Sequence, residues 1–278
     1  MTEKFTAQVI YLFPILVSLL FGLTCASVIL KTAVTIPSVT PVPETNPSGD
    51  TNVSAPFLNA AYFVVLVAVG ASILYVLLRR SRKSITYLIG FALSTAFLLV
   101  SIVYFSAILA SVPYADLIVL ALSVVVTVLG DLAVFKFGGN ACNIVVLCLG
   151  GALGMFFGSA IPLYSAIIIL AFLAIYDVFT VYYGPVGKIL NAGLDQLRGL
   201  SFSFRDVQMG LGDLVFYSLL SGSVLFNFGI IPCFVSLVGI LAGSFLTFLM
   251  LERKGTFPGL PFPIILGLAG GLVTSLVI

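Results

Sequence analysis

The chain has 278 residues, 61% of them hydrophobic and only 8% charged, with 12 Lys and Arg against 10 Asp and Glu. A soluble domain of this length carries roughly a quarter charged residues, which excludes a water-soluble core and predicts a polytopic membrane protein. There is no histidine, so an HExxH metalloprotease and a Ser–His hydrolase, both of which need imidazole, are excluded as well.

A transmembrane helix needs about 20 mostly apolar residues. In chain order, nine stretches meet that requirement: 8–30, 57–78, 85–112, 115–135, 141–161, 164–183, 207–228, 230–251 and 257–278. The first is longer than the 7–15 apolar residues of a signal peptide and reads as a retained span. Between the first two spans, "TIPSVTPVPETNPSGDTNVSAP" (Thr35 to Pro56) is rich in Pro, Ser and Thr, which predicts a mobile loop without a core. Its "NVS" at Asn52 fits a glycosylation sequon, a weak pattern alone. The four cysteines (Cys25, Cys142, Cys148, Cys233) lie in apolar stretches without a CxxC and read as small buried hydrophobes.

Orientation follows from the basic residues. With a cytoplasmic N-terminus, Lys4, Arg79, Arg80, Arg82, Lys83, Lys136, Lys188, Arg198, Arg205, Arg253 and Lys254 fall inside, and only Lys31 falls outside. The expectation is an all-α membrane protein of nine transmembrane helices, N-terminus cytoplasmic and C-terminus extracellular, multi-pass in the cell membrane. Its parts form one integrated membrane domain: six helices over 1–183, a cytoplasmic connection over 184–206, and three helices over 207–278. Because the Lys and Arg serve as topology anchors, nucleic acid is not an expected partner. An oligomer is neither required nor excluded by the sequence.

Most of the acids lie in loops or at span ends; Asp131, Asp177 and Asp213 do not. Asp131 lies five residues before Lys136, near the cytoplasmic surface, where a structural role is expected. Asp177 stands seven residues before Gly184 at the end of the sixth span, and Asp213 seven residues after Asp206 at the start of the seventh. At 1.5 Å per residue each carboxylate is expected roughly 10 Å from the cytoplasmic end of its helix. Consecutive helices tend to be neighbours, so the two acids can face each other. The spans contain no Lys, Arg or His to neutralise them. Two carboxyls sharing a site titrate as a pair, one holding its proton while the other ionises, which supplies an acid and a base together.

On the seventh span Asp206, Met209, Gly210, Asp213, Phe216 and Tyr217 share one side at helical spacing. Gly210 and Gly212 then either admit another backbone close to Asp213 or simply permit tight helix packing. On the sixth, Leu173, Asp177, Thr180 and Gly184 line one side, and Tyr176 adjoins the acid as a candidate hydrogen-bond partner. Pro258, Pro261 and Pro263 read either as an ordinary helix start or as irregular backbone, which at membrane depth must line a cavity. No Walker loop or GxGxxG fingerprint is present, so no nucleotide cofactor is expected, and no metal site is either. Two chemistries remain for the pair, hydrolysis and the translocation of a proton or cation; a third reading has the acids only holding helices together.

Tyr176–Asp177 followed by Gly210–Leu211–Gly212–Asp213 resembles the YD and GxGD motifs of the presenilin and signal peptide peptidase family of intramembrane aspartyl proteases. In that family the motifs lie on the sixth and seventh of nine helices. Its third motif, Pro-Ala-Leu followed by Pro, is similar to Pro258–Gly259–Leu260–Pro261, with Gly259 where alanine is usual. Prepilin peptidases also use GxGD, but tend to carry lysine two residues after the aspartate, where Val215 stands. The size and orientation look most like an archaeal presenilin homologue. The resemblance implies an aspartic endopeptidase that cleaves transmembrane substrates in the lipid bilayer through Asp177, Asp213 and a water.

Overall fold

The computed structural model describes residues 6–32, 36–44, 52–80, 82–183, 200–204 and 207–277. Among them, a 3-10 turn at Val9–Leu12 leads into α1 (Phe13–Thr32), followed by α2 (Ala55–Arg80), α3 (Arg82–Ile108) and α4 (Ala115–Leu132). A π-turn at Ala133–Phe137 leads to α5 (Gly139–Ala160) and α6 (Leu163–Tyr183). A hairpin of β1 (Ser201–Phe204) and β2 (Val207–Gly210) precedes α7 (Leu211–Phe228), α8 (Ile230–Lys254) and α9 (Pro261–Val277). Eight of these helices, α1 to α8, are long and apolar enough to cross a membrane; α9 is shorter, at 17 residues. Leu117 and Phe91 are 78% and 74% exposed on the outside of the bundle. An outer face of this kind suits hydrocarbon and not water.

Two features depart from the expected architecture. Residues 207–210, expected as the first turn of the seventh span, are β2, so the chain is not helical throughout. The alternation Ser201–Phe202–Ser203–Phe204 is answered across the ladder by Val207, Gln208, Met209 and Gly210. Phe202 and Met209 pair directly and are buried with Val207, while Gln208 on the opposite face is exposed. A period of two with one apolar face makes a strand. The ninth helix, expected from residue 257, begins only at Pro261, and residues 256–260 are irregular.

The α1–α2 loop differs too, over the part described. Residues 36–44 are hydrogen-bonded to the helices. Val39 N–H donates to the Ala160 carbonyl at 3.1 Å, and Val42 exchanges hydrogen bonds with the fully buried Asn59 side chain at 3.0 and 2.9 Å. Glu44 accepts from the Ser165 amide (2.8 Å) and hydroxyl (2.6 Å) in the first turn of α6. Polar side chains presented by α2 and α6 order a segment that has no core of its own. Residues 45–51 of that loop lie outside the described residues. Asn52 accepts a hydrogen bond from Ser54 at 2.8 Å.

At the centre, α5 lies between α1 and α7 with glycines at 150, 154 and 158 on the edge toward α7. A Cβ on Gly158 would stand 2.8 Å from Gly222 Cα, and one on Gly154 would run into Ser218 Cβ and the Val215 carbonyl. The missing side chains let the two backbones meet, the usual device for close helix packing in lipid. Gly154→Ala is therefore expected to cost about 1–3 kcal/mol of stability, the range for overpacking a close contact. Thermal unfolding of the purified variant in detergent checks this. An unchanged melting temperature would mean that α5 and α7 separate freely, contrary to the seam described.

Asp131 accepts a 2.6 Å hydrogen bond from the Ser94 hydroxyl, which ties α4 to α3.

Candidate active site

Asp177 of α6 and Asp213 of α7 line one cavity of about 190 Å³. Val207, Gln208 and Met209 of β2 form one wall, Ser244, Thr247, Phe248 and Leu251 of α8 another, and Val181, Tyr217, Phe257 and Gly259 complete it. The two acids do not reach the cavity at equal helical depth. Asp213 is the third residue of α7, capped by Gly210 in extended conformation (φ −73°, ψ 146°), whereas Asp177 stands six residues before the end of α6 at Tyr183. Because β2 is extended, it covers roughly 13 Å in four residues where a helix covers roughly 6 Å. The hairpin thus replaces the helical turn that the sequence count assumed. The Leu211 amide donates to the Leu200 carbonyl at 2.7 Å, carrying the β1–β2 ladder up to the start of α7. A carboxylate in the first turn of a helix faces the positive end of the helix dipole.

The irregular segment ahead of α9 runs between the acids. The Leu260 amide donates to Asp177 Oδ2 at 3.0 Å, and the Tyr217 hydroxyl donates to the Gly259 carbonyl at 2.9 Å. Gly259 lies against the other acid, where a Cβ added to it would stand 3.2 Å from Asp213 Oδ2. Pro258 is buried, and Pro261 is the first residue of α9, where a proline's missing N–H is harmless. The Leu260 amide is in this arrangement engaged by Asp177.

Other expected site residues have different surroundings. A Cβ on Gly210 would meet nothing closer than Asp213 Oδ2 at 3.8 Å, and one on Gly212 nothing closer than the Phe216 ring at 3.8 Å. Neither glycine admits a neighbouring backbone; Gly151, Gly154 and Gly158 of α5 and Gly239 and Gly243 of α8 do. Leu211 is buried and packs toward Gly150 of α5. Met209 borders the cavity from the strand rather than from a helix, and Asp206 lies outside the described residues, so the expected helical face begins only at Asp213. Tyr176 is half-buried and is not one of the cavity residues; its carbonyl accepts from the Thr180 hydroxyl at 2.7 Å. The tyrosine at the cavity is Tyr217, one turn beyond Asp213. Gly184 and the connection over 184–199 lie outside the described residues. The α8 wall went unforeseen, although Ser244 and Thr247, one turn apart in an apolar helix, are a readable polar pair. Their hydroxyls donate to the Ile240 and Gly243 carbonyls at 2.9 and 3.1 Å, leaving the oxygens as acceptors at the cavity. Among the described residues no three His, Cys, Asp or Glu side chains gather as a metal site.

Two structures of a presenilin family intramembrane aspartate protease, in C222 and P2 crystal forms, superpose on this chain with TM-scores of 0.67 and 0.65. They are 22% and 21% identical to it, each alignment covers 96% of this chain, and the shares of the solved chains covered are 99% and 96%. The chain has the presenilin fold. Residues 190–278, which carry Asp213 and the α9 approach, also match the Presenilin family model. Presenilin-B of Dictyostelium discoideum is 30% identical over 154 residues, 51% of this chain. The chain spans about a third of the length of that curated relative. Asp177 and Asp213 thus sit in a multi-pass helical membrane fold of the presenilin kind.

Proposed function

We propose that the protein is an intramembrane aspartyl protease that hydrolyses peptide bonds within transmembrane segments, with Asp177 and Asp213 as its acid–base pair. The observation that carries this reading is the shared cavity. Two carboxyls from different helices border one small space of mixed lining, where a water and a carbonyl can both be within reach. One aspartate, ionised, takes a proton from the water. The other, protonated, donates toward the scissile carbonyl, and a tetrahedral gem-diol results. As the amine departs, the roles exchange. With one proton shared, activity belongs to the pair and follows a bell in pH.

A helical substrate hides its carbonyls in i to i−4 hydrogen bonds and must unwind before attack. Beside the pair, β2 offers an extended backbone, and an unwound segment is well matched to lie along such a strand. In this reading Gly210, Leu211 and Gly212 set the start of α7 and so the position of Asp213. Pro258, Gly259, Leu260 and Pro261 hold the wall between the two acids, and Tyr176 supports α6. The substrates are transmembrane helices reached through the bilayer.

Incubating the purified full chain with a transmembrane peptide in detergent tests the reading directly. Mass spectrometry is expected to find products cut inside the span. A transition-state analogue of aspartyl proteases is expected to block them, and a chelator to leave them unchanged. Loss with chelator and recovery with a divalent ion would replace the acid–base pair by a carboxylate-bound metal. Absence of cleavage, together with proton or cation flux in liposomes, would assign the acids to transport.

A further inference from the structure

We propose that Tyr217 is the positioning residue for the Asp177 carboxylate, acting through the peptide unit between Gly259 and Leu260. The carbonyl of residue 259 and the amide of residue 260 belong to one planar group, so their directions are fixed relative to each other. Tyr217 on α7 holds the carbonyl at 2.9 Å, and Asp177 on α6 accepts from the amide at 3.0 Å. One rigid plate therefore joins two helices, and its orientation sets where the N–H points.

Little else in the local backbone holds that plate. The ladder of α9 begins only beyond this peptide group, with the Ile264 amide donating to the Leu260 carbonyl at 3.1 Å, and residue 259, having no Cβ, has the widest choice of backbone angles. On the far side Leu260, 4% exposed and bonded into α9, anchors its own end and leaves the Gly259 end free. Tyr217 supplies the missing restraint. Its ring is 1% exposed, which fixes where the hydroxyl lies. Hydrogen bonds in series also polarise one another, so donation into the carbonyl strengthens the amide as donor to Asp177. Without the hydroxyl the plate can swing about Gly259, and the Leu260 amide no longer aims Asp177, whose other backbone donor is Gly259 itself.

The kinetic part of this inference rests on the proteolytic reading; the spectroscopic part does not. The test uses the purified full chain as wild type, Tyr217→Phe and Tyr104→Phe. Tyr104 is a matched control, since its hydroxyl donates to the Ala152 carbonyl at 2.8 Å in the remote α3–α5 contact. Infrared difference spectra against Asp177→Asn isolate the Asp177 carboxyl band in each background. Tyr217→Phe is expected to shift that band and to lower kcat by ~10- to 100-fold, the scale for a misplaced reacting group, with KM within about twofold. Tyr104→Phe is expected to lower the melting temperature without moving the band or kcat. Incorporating 3-fluorotyrosine at position 217 keeps the ring and makes a stronger donor, and is expected to move the band the opposite way. It also serves if Tyr217→Phe fails to fold. An Asp177 band that is the same with and without the change at Tyr217 overturns the proposal. Inactivity of the wild type overturns the protease reading, while the band still decides the positioning role.

Discussion

Asp177→Asn and Asp213→Asn are each expected to abolish cleavage of a transmembrane peptide, a loss of at least ~10⁴-fold, with the protein still folded and extractable. General acid–base catalysis by one positioned group is worth about 10²–10⁴-fold. Here each carboxyl is assigned acid and base duties in turn, so one substitution removes both. Asparagine preserves shape. At position 177 its side-chain oxygen can still accept from the Leu260 amide, as Asp177 Oδ2 does at 3.0 Å. The fold should therefore persist while the proton traffic stops. Product mass spectrometry gives the activity, and size-exclusion elution with the thermal midpoint gives the folded state. Asp131→Asn is the matched comparison, because Asp131 is a partner of Ser94 between α3 and α4 and is not one of the cavity residues. It is expected to keep substantial activity. Near wild-type turnover in either of the other two variants would remove the pair from the mechanism.

The helical framework was legible because lipid enforces it. With no water to satisfy backbone groups, long apolar runs have only one extended solution, and each expected span from the first to the sixth has its helix within a few residues. Asp177 and Asp213 were legible for the related reason that charge at that depth needs a purpose. What escaped was local and depended on partners distant in sequence. Residues 207–210 satisfy a helical spacing toward Asp213 and a two-residue alternation equally well, and the choice is made by Phe202 pairing with Met209. The serine–phenylalanine alternation at 201–204 was the available signal. Gly210 and Gly212 drew attention by lying beside an aspartate, yet close backbone contacts belong to pairs such as Gly154 and Gly158 or Gly239 and Gly243, whose four-residue spacing is the packing mark. The Leu260 amide on Asp177 and the Tyr217 hydroxyl on Gly259 join residues 83 and 42 positions apart, which no local pattern encodes.

Substitutions at Gly259 are expected to divide sharply by size. A Cβ there would stand 3.2 Å from Asp213 Oδ2, tighter than ordinary van der Waals contact by a few tenths of an ångström, and 3.5 Å from its Cγ, an ordinary contact. The neighbour that must yield is a side-chain carboxylate bordering a cavity of about 190 Å³, not backbone, so it has room to move by that amount. Gly259→Ala, which also restores the residue usual in the third motif that this segment resembles, is expected to hold turnover within about tenfold of wild type. Gly259→Val adds two methyl groups at the same point and drives the carboxylate farther than a slight rotation can absorb. A displacement of ~1 Å of a reacting group costs about 100-fold, so a loss of at least that size is expected. Because the displaced atoms lie at a cavity and not in the α5–α7 seam, the thermal midpoint is expected to move far less than for Gly154→Ala. Measuring kcat and thermal midpoint together on the two Gly259 variants separates the possibilities. Strong inactivation by alanine without unfolding would mean that Asp213 is held too rigidly to yield, or that the backbone at 258–260 takes another path during turnover. A valine variant that remains active would mean that the contact between Gly259 and Asp213 is not maintained in the working enzyme.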